Sequence, residues 1–501
     1  MKNVLVWLRN DLRLNDNPIL QKAFDAAKTA NNVIIVYIFD ETNFEKTSLD
    51  LPKTGIFRTN FLLESVTDLQ KQLQSYGSDL FVYKGKTEEI LLNLTQKLEI
   101  KTIFSSKEIT FEETNLENKV KEAVSKLNVK VDLTFQQTLF DFEELPFKLD
   151  KLPNIFTEFR KKIEKSVIVS KPISVPNQLK IVEKSKGKSN FLPQLESTPI
   201  PTLHHFGFTE LESKKLHNPK AVLKFEGGET AALQRLNYYL FESNLLQTYK
   251  ETRNGLLGGD YSSKFSAWLA NGSISAKTIW TEIEKYEQEV TSNQSTYWLK
   301  FELLWREYFK FIAAKYGNKI FLLEGMKDNE NLEQIYGKER ETLEKHFEQE
   351  QNKKLFDKWK TAKTGIPFVD ANMKELNETG FMSNRGRQNV ASFLVKDLKL
   401  DWRWGASYFE SKLIDYDVTS NWANWAYIAG VGNDPREDRY FNILKQARDY
   451  DSNGDFVKYW LPQLIDVPNH LVHTIHKLTP KELEKYEISL GGNYPYPIVK
   501  L

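Results

Sequence analysis

The chain has 501 residues, 40% of them hydrophobic and 27% charged, with a formal net charge of +1. That length predicts roughly two to four domains at about 100–200 residues each, and the near-zero charge excludes a global field drawing the molecule to nucleic acid, leaving a local basic groove open. The absence of cysteine excludes disulfides, thiol nucleophiles and cysteine-ligated zinc or iron–sulfur centres.

In chain order, the opening "MKNVLVWLRNDLRL" meets Arg and Asp too early for a secretory leader, and no apolar run reaches membrane-spanning length. The expectation is a cytoplasmic protein with no membrane partner. Residues 1–135 alternate strand and helix signals. "NVLVWL" (3–8), "VIIVYIF" (33–39), "LFVY" (80–83), "TIFSS" (102–106) and "VKVDLTF" (129–135) are predicted buried strands, with amphipathic stretches such as 56–75 between them. The alternation predicts an α/β domain with a doubly wound parallel sheet. The first glycine is Gly55, so the turn "RNDLRLNDNP" is no glycine-rich dinucleotide fingerprint. It is charged and follows a strand, where open α/β sheets bind ligands.

Residues 136–204 hold seven of the 17 prolines and lysine-rich tracts such as "KIVEKSKGK", which predicts a long interdomain linker. Over 205–501 the helical period dominates and predicts an all-α domain. In 297–317 the apolar positions 298, 301, 305, 308 and 312 form one broad helix face. Residues 381–398 and 404–414 follow the same period, and the charged stretch 327–354 reads as a solvated helical surface. His470, His473 and His476 share one helix side, but nothing else suggests a metal.

Four stretches carry chemistry. Glu302 and Arg306 are spaced i, i+4, which fits a weak surface ion pair; Trp298, Phe301, Trp305 and Phe309 crowd the same side and argue instead for a partly buried pair with a site role. In "GGDYSSKFSAWLANGSIS" (258–275), Ser262, Ser263 and Ser266 suit either a helix cap or a phosphate at a helix N-terminus. "MSNRGRQN" (382–389) presents Asn384, Arg385, Arg387 and Gln388, either as a solvated helix start or as a site in which Arg387 holds a carboxylate. "YDVTSNWANWAY" (416–427) mixes ring faces with small polar groups. A packed core disfavours that mixture, because buried polar groups need partners; a flat polar ligand favours it.

Taken together, "VLVWLRNDLRLNDNP", "SSKFS", "FELLWREYF", "TGIPFVDANMKELNETGFMSNRGRQNVASFLVKDLKLDWRWG", "LIDYDVTSNWANWAYIAGVGNDPREDRYFN" and "YPYPIV" resemble the photolyase/cryptochrome family over almost the whole chain. Within it, "MSNRGRQNVASF", "SNWANW" and Tyr427, where classical photolyases carry Trp, are most similar to the cryptochrome DASH branch. The resemblance implies an α/β antenna domain and a helical domain holding FAD. Tyr249, Ser262, Ser263, Lys264, Phe265, Ser266 and Arg306 are implied FAD contacts, the diphosphate meeting the "SSKFS" turn. Asn384, Arg387, Asp415, Asp417 and Asn421 are implied around the isoalloxazine, where a carboxylate accepts the ring N3–H and Asn421 lies near N5.

The resemblance further implies that Glu302 and Trp305 touch a pyrimidine dimer, with Arg253, Arg385, Gln388 and Tyr427 at the DNA-facing pocket. Trp402 and Trp425 match members of an electron-transfer chain. Its third member is expected ten residues before Trp359, where Gln349 stands; Trp404, Trp422 or Tyr416 are possible substitutes. Glu108 is similar to the carboxylate that holds a methenyltetrahydrofolate antenna, or is an ordinary loop glutamate. The implied function is light-driven repair of cyclobutane pyrimidine dimers, preferentially in single-stranded DNA, by a monomer. Activity on (6-4) photoproducts is disfavoured, since those enzymes carry histidine at the position of Asn384. The alternative is a photosensory or nucleic-acid-binding cryptochrome with little repair.

Overall fold

The β-branched and aromatic runs near the N-terminus pair into one sheet. The computed structural model describes residues 3–27, 32–175, 199–326, 349–433 and 440–500. Strands β1 (Asn3–Leu8), β2 (Asn32–Asp40), β3 (Phe81–Gly85), β4 (Ile100–Ser106) and β5 (Lys130–Thr134) form a parallel sheet of order β3-β2-β1-β4-β5. Successive side chains alternate between faces. Val4, Val6 and Leu8 enter one core with helices Pro18–Ala27 and Ile56–Ser75, whereas Leu5 and Trp7 enter another with Thr87–Lys97 and Phe111–Val124. Both faces are covered, as the doubly wound expectation requires. The strand order reverses between β1 and β4, so a crevice opens beyond their C-terminal ends.

The charged turn after β1 mostly clamps the two domains. Arg13 donates to the Gly272 carbonyl at 3.0 Å and Glu229 accepts from the Leu14 and Asn15 amides, whereas Arg9 pairs within its own domain, with Glu117 at 2.7 Å. Gly272 has φ +71, and a Cβ there would lie 2.0 Å from the Asn10 carbonyl oxygen. The backbones of the two domains meet at that point with no room for a side chain.

The stretch read as a linker is not simply a tether. Leu139, Phe140, Leu145 and Leu152, with Phe156, Phe159 and Ile163 of helix Phe156–Ser166, pack into the core of the helical domain. Glu307 accepts from the Leu139 amide at 2.6 Å and is wholly buried. The proline and lysine content masked an apolar series that packs. The tract "KIVEKSKGK" lies outside the described residues, as does most of the charged stretch 327–354.

The helical domain is built round helix Gln294–Tyr316, capped by Asn293 and ended at Gly317. Helix Val418–Ala429 packs against it, and Asn384–Ser392 and Trp402–Lys412 pack on Val418–Ala429 in turn, around a separate core that runs through Trp359, Phe393, Trp404 and Trp425. His473 and His476 lie on a 3-10 turn, Val472–Lys477, and His473 faces Asp451. No metal-binding cluster and no helix long and apolar enough to cross a membrane occur among the described residues.

Candidate active site

The Asn384–Ser392 and Val418–Ala429 helix starts converge on one pocket, lined by Asn384, Arg387, Gln388, Asp415, Asp417, Asn421 and Trp425. Arg387 donates to both oxygens of Asp415 at 2.8 and 3.0 Å and to the Met382 carbonyl at 2.9 Å. The Asp415 side chain is only 2% exposed. The carboxylate expected for Arg387 is therefore Asp415, twenty-eight residues away.

Asp417 caps its helix, accepting from the Ser420 amide and the Thr419 hydroxyl, and Lys310 Nζ reaches it at 2.6 Å. Burial alone would raise its pKa, but Lys310, Arg306 and these hydrogen bonds win and hold the carboxyl well below the usual range. Asn421 donates its amide N–H to the Ala406 carbonyl at 3.0 Å, which fixes its side chain in the pocket wall.

The "SSKFS" turn is held from outside the motif. Arg235 donates to the carbonyls of Gly259, Ser262 and Ser263 and pairs with Asp260 at 3.1 Å. Lys264 has φ +63, is 4% exposed, and places Nζ 2.9 Å from Ser262 Oγ and over the Tyr261 ring. Burial presses its pKa well below that of a free lysine, against the pull of Glu375. Phe265 and Tyr249 are buried beside Tyr239, while Ser266 is exposed and starts a helix of only five residues. So short a helix brings little macrodipole; an anion at this turn is served by its backbone, hydroxyls and Lys264.

The pair Glu302–Arg306 does not form. Glu302 pairs with Arg253 at 2.5 Å, whereas Arg306 turns to Glu307 and the Gln137 carbonyl. Tertiary partners outcompete an i, i+4 contact that is weak by itself. Burial pushes the Glu302 carboxyl up, with Arg253 opposing. Trp305 stacks on Phe156 at 3.7 Å and meets Tyr427 edge-on at 6.1 Å. Arg385 bridges Gln388 and Asn254 and covers the Tyr450 ring at 4.3 Å.

A second, interdomain cavity of about 550 Å³ lies beyond the sheet's switch point. Arg9, Arg58, Glu108, Lys310, Glu410 and Trp422 line it, and that size suits a small cofactor. Glu108 accepts from Gln137 Nε2 at 2.6 Å, and burial pushes its carboxyl up to about 7.

Sequence reading missed Arg235, Lys310 and Glu375. Lys310 was findable, four residues after Arg306 on the same helix. Arg235 had no local signal.

Burial likewise raises Glu307 to about 7 and Glu375 to about 8. These carboxyls keep protons that the unfolded chain has released. Stability of the ligand-free protein is thus expected to fall as pH rises from 4.5 toward about 7, at up to about 1.4 kcal/mol per pKa unit and group. Asp417, depressed, acts only at lower pH, where its contribution is lost as it protonates. Calorimetry across this window checks the sign; a rising melting temperature would contradict it.

A sheet domain docked on a helical domain with a buried pocket for a flat, polar ring is the architecture of the photolyase-type flavoproteins. Residues 4–177 match the family model described as DNA photolyase, and 298–501 match the FAD binding domain of DNA photolyase. The cryptochrome DASH of Gloeobacter violaceus is 47% identical over 100% of this chain and 93% of its own, and that of Danio rerio 45% identical over 99% and 90%. The solved Synechocystis sp. PCC6803 cryptochrome superposes with a TM-score of 0.87 at 42% identity, covering 100% of this chain and 97% of its own. The chain belongs to the photolyase/cryptochrome family, in its cryptochrome DASH group, and carries that family's FAD-binding domain.

The residues present fit FAD. The Asn372 Oδ1 is buried without a hydrogen-bond partner, and the buried Glu375 carboxyl is faced by Lys264, Arg387 and the Ser383 backbone. A buried lysine and an Arg–Asp pair then await an anionic, hydrogen-bonding guest.

Proposed function

We propose that this protein repairs cyclobutane pyrimidine dimers in single-stranded DNA under blue light. The observation that carries this reading is the edge contact of Trp305, one helical turn from Glu302, with Tyr427 on the helix whose start lines the pocket of Arg387 and Asp415. The one-electron chemistry on the dimer would come from fully reduced, light-excited FAD held by Arg387, Asp415 and the "SSKFS" turn.

The chain's residues bind and orient. Arg387 and Asp415 hold the ring edge, with Asn384 and Asn421 beside it, and Lys264 with Ser262, Ser263 and Ser266 holds the diphosphate. Glu302, released from Arg253 by substrate, hydrogen-bonds the bases. Trp305, already stacked on Phe156, and Tyr427 meet the flipped dimer, and Arg253, Arg385 and Gln388 meet the strand. No nucleophile is required. The test is illumination of the reduced protein with dimer-containing oligothymidylate. Dimers that persist under saturating light would favour the sensory reading.

Flipping a dimer out of a duplex costs a few kcal/mol, least where pairing is already lost, and stacking returns about 1–3 kcal/mol per base. Tyr427 offers a smaller face than an indole, and Gln388 makes the pocket more polar. Repair is expected to be poor on paired DNA, and Tyr427→Trp to narrow the gap between the two substrates. Equal wild-type rates on both substrates would refute this.

The interdomain cavity is proposed to take methenyltetrahydrofolate, with Glu108 as its anchor. Reconstitution with folate should add near-ultraviolet absorbance beyond that of flavin, and Glu108→Gln should weaken the uptake. A spectrum of FAD alone after reconstitution rejects the antenna. The same reading takes the protein as a cytoplasmic monomer, for which size-exclusion chromatography tests the oligomeric state.

A further inference from the structure

Gln349 is an exposed amide at the cap of helix Glu350–Lys360 and has no electron to give. The aromatic contacts lead elsewhere. The six-membered ring of Trp425 lies against Gly405, where a Cβ would sit 2.2 Å from its Cη2. Trp402 is one helical turn away on the same helix, about 5 Å along the axis. Its ring meets Trp422 at 5.8 Å, and Trp422 Nε1–H donates to the Tyr416 hydroxyl at 3.2 Å. The Tyr416 hydroxyl and the Glu410 carboxylate face the same interdomain cavity and interact electrostatically. Trp422, Tyr416 and Glu410 all line the interdomain cavity.

Resting on the flavoprotein reading above, we propose that Tyr416, with Glu410 as its proton acceptor, is the terminal electron donor for reduction of the cofactor, reached from Trp425 through Trp402 and Trp422.

The electrostatics around Tyr416 fix the form of the step. The Arg58 guanidinium lies 4.4 Å over its ring. A cation there stabilises the neutral ring and opposes a second positive charge on it, so loss of an electron requires loss of the phenolic proton. Glu410 takes it. Burial pushes this carboxyl up to about 7, with Arg58 and Lys53 pulling down and Glu112 pushing up. It is a stronger base than an exposed glutamate and still partly ionised near neutrality.

Each step moves one electron inward, from Trp425 to the cofactor, Trp402 to Trp425, Trp422 to Trp402, and Tyr416 to Trp422. Tyr416 is left as a neutral phenoxyl radical and Glu410 as a carboxylic acid. When no antenna fills the cavity, a small thiolate entering it then gives one electron to the phenoxyl, leaving as a thiyl radical, and Glu410 returns the proton.

Transient absorption of the FAD-loaded protein after a flash tests this. Wild type should form a neutral tyrosyl radical, more slowly in D2O. Tyr416→Phe should lose that signal and leave a tryptophan radical. Glu410→Gln should slow tyrosyl formation, and Trp422→Phe should confine the radical to Trp402. The D2O comparison needs no variant, so the test survives if one misfolds. A long-lived tryptophan radical in wild type, or a tyrosyl signal that persists in Tyr416→Phe, overturns the route. If Trp425→Phe nevertheless blocks photoreduction, the flavoprotein reading stands and the route alone falls. A wild-type protein that binds no flavin removes both.

Discussion

Arg387→Ala is expected to yield protein that purifies without FAD. Arg387 reaches both oxygens of Asp415, whose side chain is nearly inaccessible, through its Nη2 alone, while its Nε holds the Met382 carbonyl. Removing one member of such a pair strands the other and costs about 3–5 kcal/mol. Spread over cofactor affinity at about 1.4 kcal/mol per tenfold, that is roughly two to four orders of magnitude. Arg387→Lys keeps the charge but not the fork, so intermediate retention is expected. Flavin absorbance per protein after gel filtration measures the effect, with circular dichroism to confirm folding. Stoichiometric FAD in Arg387→Ala would show that the pair is structural only.

Trp425→Phe is expected to keep FAD but slow its photoreduction more than about tenfold, equivalent to about 1.4 kcal/mol of barrier. Trp425 is 3% exposed and lines the same pocket as Arg387 and Asp415. Trp359 is less of a bystander than its sequence position implied. Its ring meets Trp425 edge-on at 6.2 Å, and its Nε1–H donates to the Val390 carbonyl. Trp359→Phe keeps an aromatic contact but loses that hydrogen bond, so its effect on photoreduction should be much smaller. Steady illumination with an external thiol gives both rates. A Trp425→Phe flavin reduced as fast as wild type would remove this tryptophan from the path.

The sheet was legible because strands buried on both faces are nearly continuous apolar runs; all five matched runs appear as β1–β5 within a few residues at each end. The polar pocket was legible from composition, since "MSNRGRQN" and the stretch beginning at Asp415 each hold polar groups that a core rejects. What stayed hidden was partnership at long range. Local spacing offered Arg306 to Glu302, but the fold delivers Arg253, and Asp417 is claimed by Lys310 on another helix. Arg235 supports the "SSKFS" turn from twenty-five or more residues away in sequence. The packing of 139–163 was obscured because the prolines around it drew the eye to flexibility.

Tyr416 and Asp417 line both the interdomain cavity and the ring pocket. Lys310, which reaches Asp417, also faces the interdomain cavity. A guest in either space therefore presses on the same two residues. Thermodynamic coupling between sites is reciprocal. Whatever factor an occupant of the larger cavity multiplies into the affinity for FAD, FAD must multiply into the affinity for that occupant, so each one's apparent dissociation constant depends on the concentration of the other.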